Sequence, residues 1–284
     1  MVAAGNYGRT NPTTTMGYGT ITVPGNDPDV ITVGAMNDEG TPNIDNDRIA
    51  SYSSKGPTSY DRIAKPDLVA PGNLIDSLRA PGSNLYNAYP QIEIANNLYM
   101  NDNVNGVSPE YAQMSGTSMA TPFVSATAAL LIQQNPKITP NQVKARLMLT
   151  ADKKAFPATS SYTNPSTGIT YKATYDIFTI GADYLNVGNA LFSTALAPAS
   201  LSAASPALIK TNAGDWTFAS AANTVWGSNT VWGSNTVWGS NTVWGSNTVW
   251  GSNTVWGSNT VWGSAVMGAS FAESANAILL DGDN

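Results

Sequence analysis

Apolar and polar positions fall in blocks along the first half of this 284-residue chain. Val30-Ile31-Thr32-Val33-Gly34-Ala35 is a β-branched apolar run, and it predicts a buried strand ended by glycine. Residues 65–72 predict a short strand between turn signals. From Ser118 to Gln134 the pattern turns helical. Ala120, Val124, Ala128, Leu131 and Ile132 share one face, and small residues fill most of the rest, so this helix should be buried nearly all round. Asn135-Pro136 stops it. A second helix is announced by Thr139 as N-cap and Pro140 in first position, with a stripe of Val143, Leu147 and Met148, and should run to about Ala151.

Beyond residue 155 the pattern weakens. Residues 156–190 read as loop plus a terminal element, with 176–187 the ordered-looking part. Residues 193–222 are rich in Ala, Ser and Pro and read as a linker between a domain at 1–192 and a repeat. The hexad Asn-Thr-Val-Trp-Gly-Ser then occurs seven times, from Asn223 to Ser264, followed by a tail at 265–284. An even period lets a strand keep every Trp on one face. Gly-Ser-Asn could instead turn the chain at each copy. A low-complexity tail, a β-rich stack and a Trp-lined binding strip all remain open.

Composition narrows the function. The chain carries 13 basic and 19 acidic side chains, a net charge of −6 without a basic run, which does not fit a nucleic-acid binder. Hydrophobic residues at 42% exclude wholesale disorder, and no apolar stretch is long enough to cross a bilayer. There are no cysteines, hence no disulfides, and no basic start followed by an apolar core marks a signal peptide. There are also no histidines. Any chemistry that needs imidazole must find it outside these residues.

The strongest chemical signal is Met114-Ser115-Gly116-Thr117-Ser118-Met119-Ala120-Thr121-Pro122. A serine at the start of a buried helix sits where free backbone N–H groups and the positive helix end favour developing negative charge. Gly116 allows close approach, Ala120 permits tight packing behind, and Pro122 is tolerated if it lies in the first turn. Taken alone, Ser118 could be a simple N-cap. The whole nonamer, however, resembles the nucleophile motif of the subtilisin-like serine proteases, with Phe123 where the family usually has His.

Further matches follow in that family's order between about residues 2 and 190. Val2-Ala3-Ala4-Gly5-Asn6 is similar to the strand end that presents the oxyanion-hole asparagine, which implies that role for Asn6. The segment from Val23 to Ala35 resembles the specificity-pocket region and implies Ala4, Gly5, Thr22 and Gly25 as pocket lining, with Thr22 standing where glycine is common. Residues 52–57 and 65–72 are structural signposts of the family, with no chemistry assigned. The resemblance implies an α/β fold, a three-layer sandwich with a mostly parallel sheet, truncated at the N-terminus and followed by the repetitive tail. It implies a secreted or cell-surface serine endopeptidase acting on proteins or peptides. Calcium is common in the family, but no ligand set is visible and no other cofactor is implied.

The same resemblance places the triad Asp and His before the oxyanion asparagine. They would lie upstream of Met1, so the chain is expected to be the C-terminal part of a longer protease, inactive by itself. A lysine base is the lesser option, because Lys55, Lys65 and the others sit in segments that read as surface. The alternative function is a non-catalytic secreted or surface protein that binds through the Trp repeat.

Overall fold

The structure is a computed structural model and describes residues 1–80, 82–100, 105–152, 156–200, 202–210, 216–218 and 282–283. The NTVWGS repeats, and all of the tail except 282–283, lie outside the described residues.

The apolar run at residues 30–35 leads into the middle of the central sheet. Its strands are β1 (Val2–Ala3), β2 (Thr32–Asn37), β3 (Arg48–Ile49) and β4 (Leu68–Pro71). β2 pairs in parallel with β1 and β4 and antiparallel, at its far end, with β3. Every residue of β2 is buried, as expected of a strand covered on both faces. Gly34 does not end this strand. It lies inside it, where a Cβ would come within 3.0 Å of Ser53 Oγ and of a Val69 methyl.

A second, antiparallel sheet was not legible in the sequence pattern. It comprises β5 (Ile75–Leu78), β6 (Glu93–Ala95) and β7 (Val107–Met114), with β7 in the middle. The short helix α1 (Asn84–Ala88) closes its small core, where Tyr86 meets Ile92 and Ala112. β7 runs directly into the Ser118 motif.

Helix α2 (Thr117–Gln134) packs Ala120, Val124, Ala128 and Leu131 on Val33, Ala35, Leu68 and Ala70. α3 (Pro140–Thr150) starts as the sequence announces. Thr139 caps it in a reciprocal box with Gln142, and Val143 and Leu147 join the same core. Two expectations for α2 fail. Phe123, Leu130 and Ile132 are 39%, 42% and 48% exposed, so the outer face is open. Pro122 lies beyond the first turn, and the backbone bond a residue there would give to the Ser118 carbonyl is lost.

The other sheet face carries the alternate strand residues, as a period of two requires. Met36, Ile49 and Val69 pack there on Ala173, Ile180 and Tyr184. These belong to the hairpin of β8 (Thr159–Thr163) and β9 (Thr170–Thr174), to α4 (Ile177–Ile180) and to the loop after it. α5 (Val187–Phe192) adds Ala190 to the helical side. The result is a mixed α/β arrangement with three layers, the third made of a hairpin and one turn of helix. Within the segment read as a linker, Ala203 is fully buried and Ser205 is 4% exposed. Small side chains there serve close packing. The antiparallel pair β10 (Leu208–Lys210) and β11 (Trp216–Phe218) follows.

The lysines expected at the surface are inside. Lys55, Lys65 and Lys144 are 2%, 0% and 2% exposed. Asp67 joins two of them. Its Oδ2 accepts from Lys65 Nζ at 2.8 Å and from the Thr32 amide at 2.7 Å, and its Oδ1 accepts from Ser205 Oγ at 2.6 Å and lies 3.1 Å from Lys144 Nζ. Burial pushes the Asp67 carboxyl up, but Lys144 and Lys65 overcome it and hold the carboxyl below its ordinary value. Burial lowers Lys144 to about 8. Lys55 donates to the Met16 carbonyl at 2.8 Å and lies over the Tyr18 ring. Burial lowers it to about 8 too, while nearby Asp176, desolvated and capping α4, rises to about 6.

Candidate active site

The Ser118 loop is held by the end of the 65–72 segment and the residues just after it, and the Tyr52 hydroxyl of the other signpost segment braces that contact. The Gly72 carbonyl accepts from the Gly116 amide at 2.8 Å and from the Tyr52 hydroxyl at 2.9 Å. Ser115 Oγ accepts from the Leu74 amide at 2.9 Å. Gly116 has φ 150°, a conformation glycine adopts readily and side-chain-bearing residues rarely do. It is also the N-cap of α2, so Ser118 is the second helical residue and not the cap.

Ser118 is exposed, with buried Thr117 and Ala120 on either side of it in the first turn. Among the described residues neither its hydroxyl nor its amide makes a hydrogen bond. An unused amide at this position is what the first turn of a helix leaves over.

Asn6 comes to the same place from the end of β1. Its Oδ1 accepts from the Thr117 amide at 2.9 Å and from Thr117 Oγ1 at 2.9 Å. A backbone N–H can only donate, so the amide oxygen must face Thr117 and the NH₂ must face away. Thr117 Oγ1 in turn accepts from the Gly5 amide at 3.1 Å, tying the β1 end to the helix start. A Cβ built on Gly116 would lie 3.1 Å from Asn6 Nδ2 and 3.7 Å from the Ser118 amide nitrogen. Two N–H donors thus border the space beside the nucleophile loop. Thr117 is the site residue that sequence reasoning missed. Its place between Gly116 and Ser118 was visible, but its partner lies 111 positions away.

The four residues implied as pocket lining are brought together. The Thr22 amide donates to the Ala4 carbonyl at 3.0 Å. Gly5, at φ 108°, would place a Cβ 2.6 Å from Thr22 Oγ1, and Gly25 would place one 2.9 Å from the Ala3 carbonyl. The Thr22 hydroxyl and methyl thus take up the space that a side chain on Gly5 would need.

The buried lysines point elsewhere. Lys55 and Lys144 give their protons to carbonyls or Ser205, and Lys65 to the Val30 carbonyl and Asp67. Among the described residues no group of three or more His, Cys, Asp or Glu could hold a metal ion, so no calcium ligand set is assigned. No helix among them is long and apolar enough to cross a membrane.

Residues 1–173 match the model of the subtilase family of peptidases. The chain belongs to the subtilase family. Among its relatives, the serine protease AprX of Bacillus subtilis is 43% identical over 152 residues, covering 54% of this chain and 30% of that protein. The subtilisin-like protease SBT2.3 of Arabidopsis thaliana is 32% identical over 155 residues, covering 51% of this chain and 16% of that protein. This subtilase chain therefore spans less than a third of either relative. Among solved structures, fervidolysin from Fervidobacterium pennivorans, a keratinolytic enzyme related to subtilisin, aligns over 68% of this chain and 22% of its own at 25% identity, with a TM-score of 0.41.

Proposed function

We propose that this chain carries the nucleophile and oxyanion side of a secreted serine endopeptidase, whose Asp and His are supplied by residues outside this sequence. The observation that supports this reading most is the Asn6–Thr117–Ser118 arrangement. An exposed hydroxyl stands at the start of α2, next to an amide whose donor end is turned free by Thr117.

In this reading Ser118 Oγ attacks the carbonyl carbon of a peptide bond and its proton passes to the imidazole. The oxyanion takes hydrogen bonds from Asn6 Nδ2 and the Ser118 amide. Collapse expels the amine, which leaves with that proton, and water then releases the acyl group and restores the serine. With Ala4, Gly5 and Gly25 as lining and Thr22 packed against Gly5, small or medium side chains are favoured on the acyl side of the cleaved bond. A serine hydroxyl without a base is a poor nucleophile, so the 284-residue chain alone should stay at background.

The test is turnover of a fluorogenic peptide by the chain extended through its upstream coding sequence. Activity is expected in the extended protein and should vanish in Ser118→Ala. Asn6→Ala should cost about 10²–10³ in rate, the figure known for the corresponding donor in subtilisin itself. Turnover that survives Ser118→Ala would refute the assignment.

A further inference from the structure

Arg9 lies in the family-matched region and is 4% exposed. Its guanidinium sits within 5.1 to 5.9 Å of the ring centres of Tyr52, Tyr162 and Tyr171. A cation so enclosed needs an anion in hydrogen-bond contact. The anion comes from the far end of the sequence. Arg9 Nη2 donates to Asp283 Oδ1 at 2.7 Å, with both side chains almost fully buried. The Ser51 amide and hydroxyl donate to the two oxygens of the same carboxylate, at 2.5 and 2.6 Å.

The backbone of the docked segment is held as well. Arg9 also donates to the Gly282 carbonyl at 2.6 Å, and Asn73 Oδ1 accepts from the Asp283 amide at 2.8 Å. Gly282 has φ 55°, and a Cβ on it would lie 2.1 Å from Asn73 Oδ1 and 2.5 Å from Ser115 Oγ. The site therefore reads glycine by close contact and the next residue by its carboxylate. Ser115 is three positions before Ser118, so this occupant abuts the nucleophile loop.

We infer that Arg9, Ser51 and Asn73 form a docking site for a Gly-Asp peptide segment, filled in cis by Gly282–Asp283. The inference is independent of the protease reading, because none of its contacts involves Ser118 or Asn6.

Hydrogen exchange on the full chain tests it, with the amide of Ser51 as reporter and the core amides of α2 as internal control. Asp283→Ala and Gly282→Ala should each speed exchange at Ser51 by about tenfold or more, the effect of losing a hydrogen bond to a charged group, and leave the α2 core unchanged. A synthetic peptide of residues 279–284 added to Asp283→Ala should restore protection, whereas the same peptide with alanine at the Asp283 position should not. Ser51 exchange at the wild-type rate in both variants would overturn the docking site.

Discussion

Two ends of the central sheet are built on opposite principles. Around Asp67, three charged side chains and Ser205 are fully enclosed and mutually bonded, linking β2, β4, α3 and residue 205. Around Ser118, the parts are neutral, small and partly open, and what fixes them is a handful of bonds through Gly72, Thr117 and Asn6. At the Asp67 end every charge is engaged in holding the scaffold; at the Ser118 end the Arg9–Asp283 pair beside the loop is engaged in the same way, but Asn6 Nδ2 and the Ser118 amide are left unengaged among the described residues. The contrast separates the residues that hold the scaffold from those to which the proposed function assigns chemistry.

The sharpest way to break the comparison is Asp67→Ala. It leaves Lys65 and Lys144 buried without their carboxylate, and loss of one partner from a buried ionic group costs about 3–5 kcal/mol. The midpoint of denaturant unfolding should fall accordingly. A loss below about 1 kcal/mol, the scale of an exposed ion pair, would show that the cluster is not a stabilising centre.

Next in size is a pH effect at the second buried network. Asp176 titrates at about 6 in the fold against 3.8 as a free side chain, mainly because burial disfavours its charge. Between those values the folded chain holds a proton that the unfolded chain has lost. Stability should therefore fall as pH rises from about 4 to about 6, by roughly 2–3 kcal/mol at most, and then level off. Lys55 works in the other direction. At about 8 in the fold against 10.5, it should return stability as pH rises through that interval. Asp176→Asn keeps an oxygen for the α4 cap and should remove the acid-side slope. A slope that persists in this variant would assign it to another group.

At the reactive end the effects are smaller and local. Thr117→Ala removes the hydroxyl that bridges Gly5 and Asn6 and should cost about 1 kcal/mol in stability. In an active, extended protein it should also lower kcat more than it raises KM, because the Asn6 donor loses its orientation. Thr117→Ser should recover most of both. Equal kinetic loss in the alanine and serine variants would mean that the methyl group, not the hydroxyl, sets this geometry.

The sequence showed one of these ends better than the other. The Ser118 motif and the Asn6 segment stand out in the sequence because each is short and local, and the capping box of α3, which the structure shows, is local in the same way. The Asp67 cluster was not. Lys65 and Asp67 are only two apart, but both precede β4, so no strand alternation pairs them. Lys144 and Ser205 reach Asp67 only through the tertiary fold. A lysine in a polar stretch looks like surface until its partner is located. Likewise, the Ala/Ser-rich stretch around Ala203 looked like a linker because the core it fills is made by distant residues. The base for Ser118 is a different matter, since no histidine is encoded in the chain.

The smallest effect concerns the outer face of α2, where the reactive helix turns away from the sheet. Leu130 and Ile132 are 42% and 48% exposed, although the helix pattern had placed Ile132 with the core. The angular step explains the error. Each four-residue step drifts by about 40°, so Ala120, Leu131, Val124 and Ala128 lie within about 80° of one another, while Ile132, four after Ala128, has turned to about 120° from Ala120. Ile132→Gln should therefore change the stability of this chain by less than about 0.5 kcal/mol, as other exposed substitutions do. Leu131→Ala, one position away and 2% exposed, should cost about 2–5 kcal/mol. If the two variants lose similar amounts in thermal unfolding, the outer face of α2 is covered in solution and the Ser118 end is no more open than the Asp67 end.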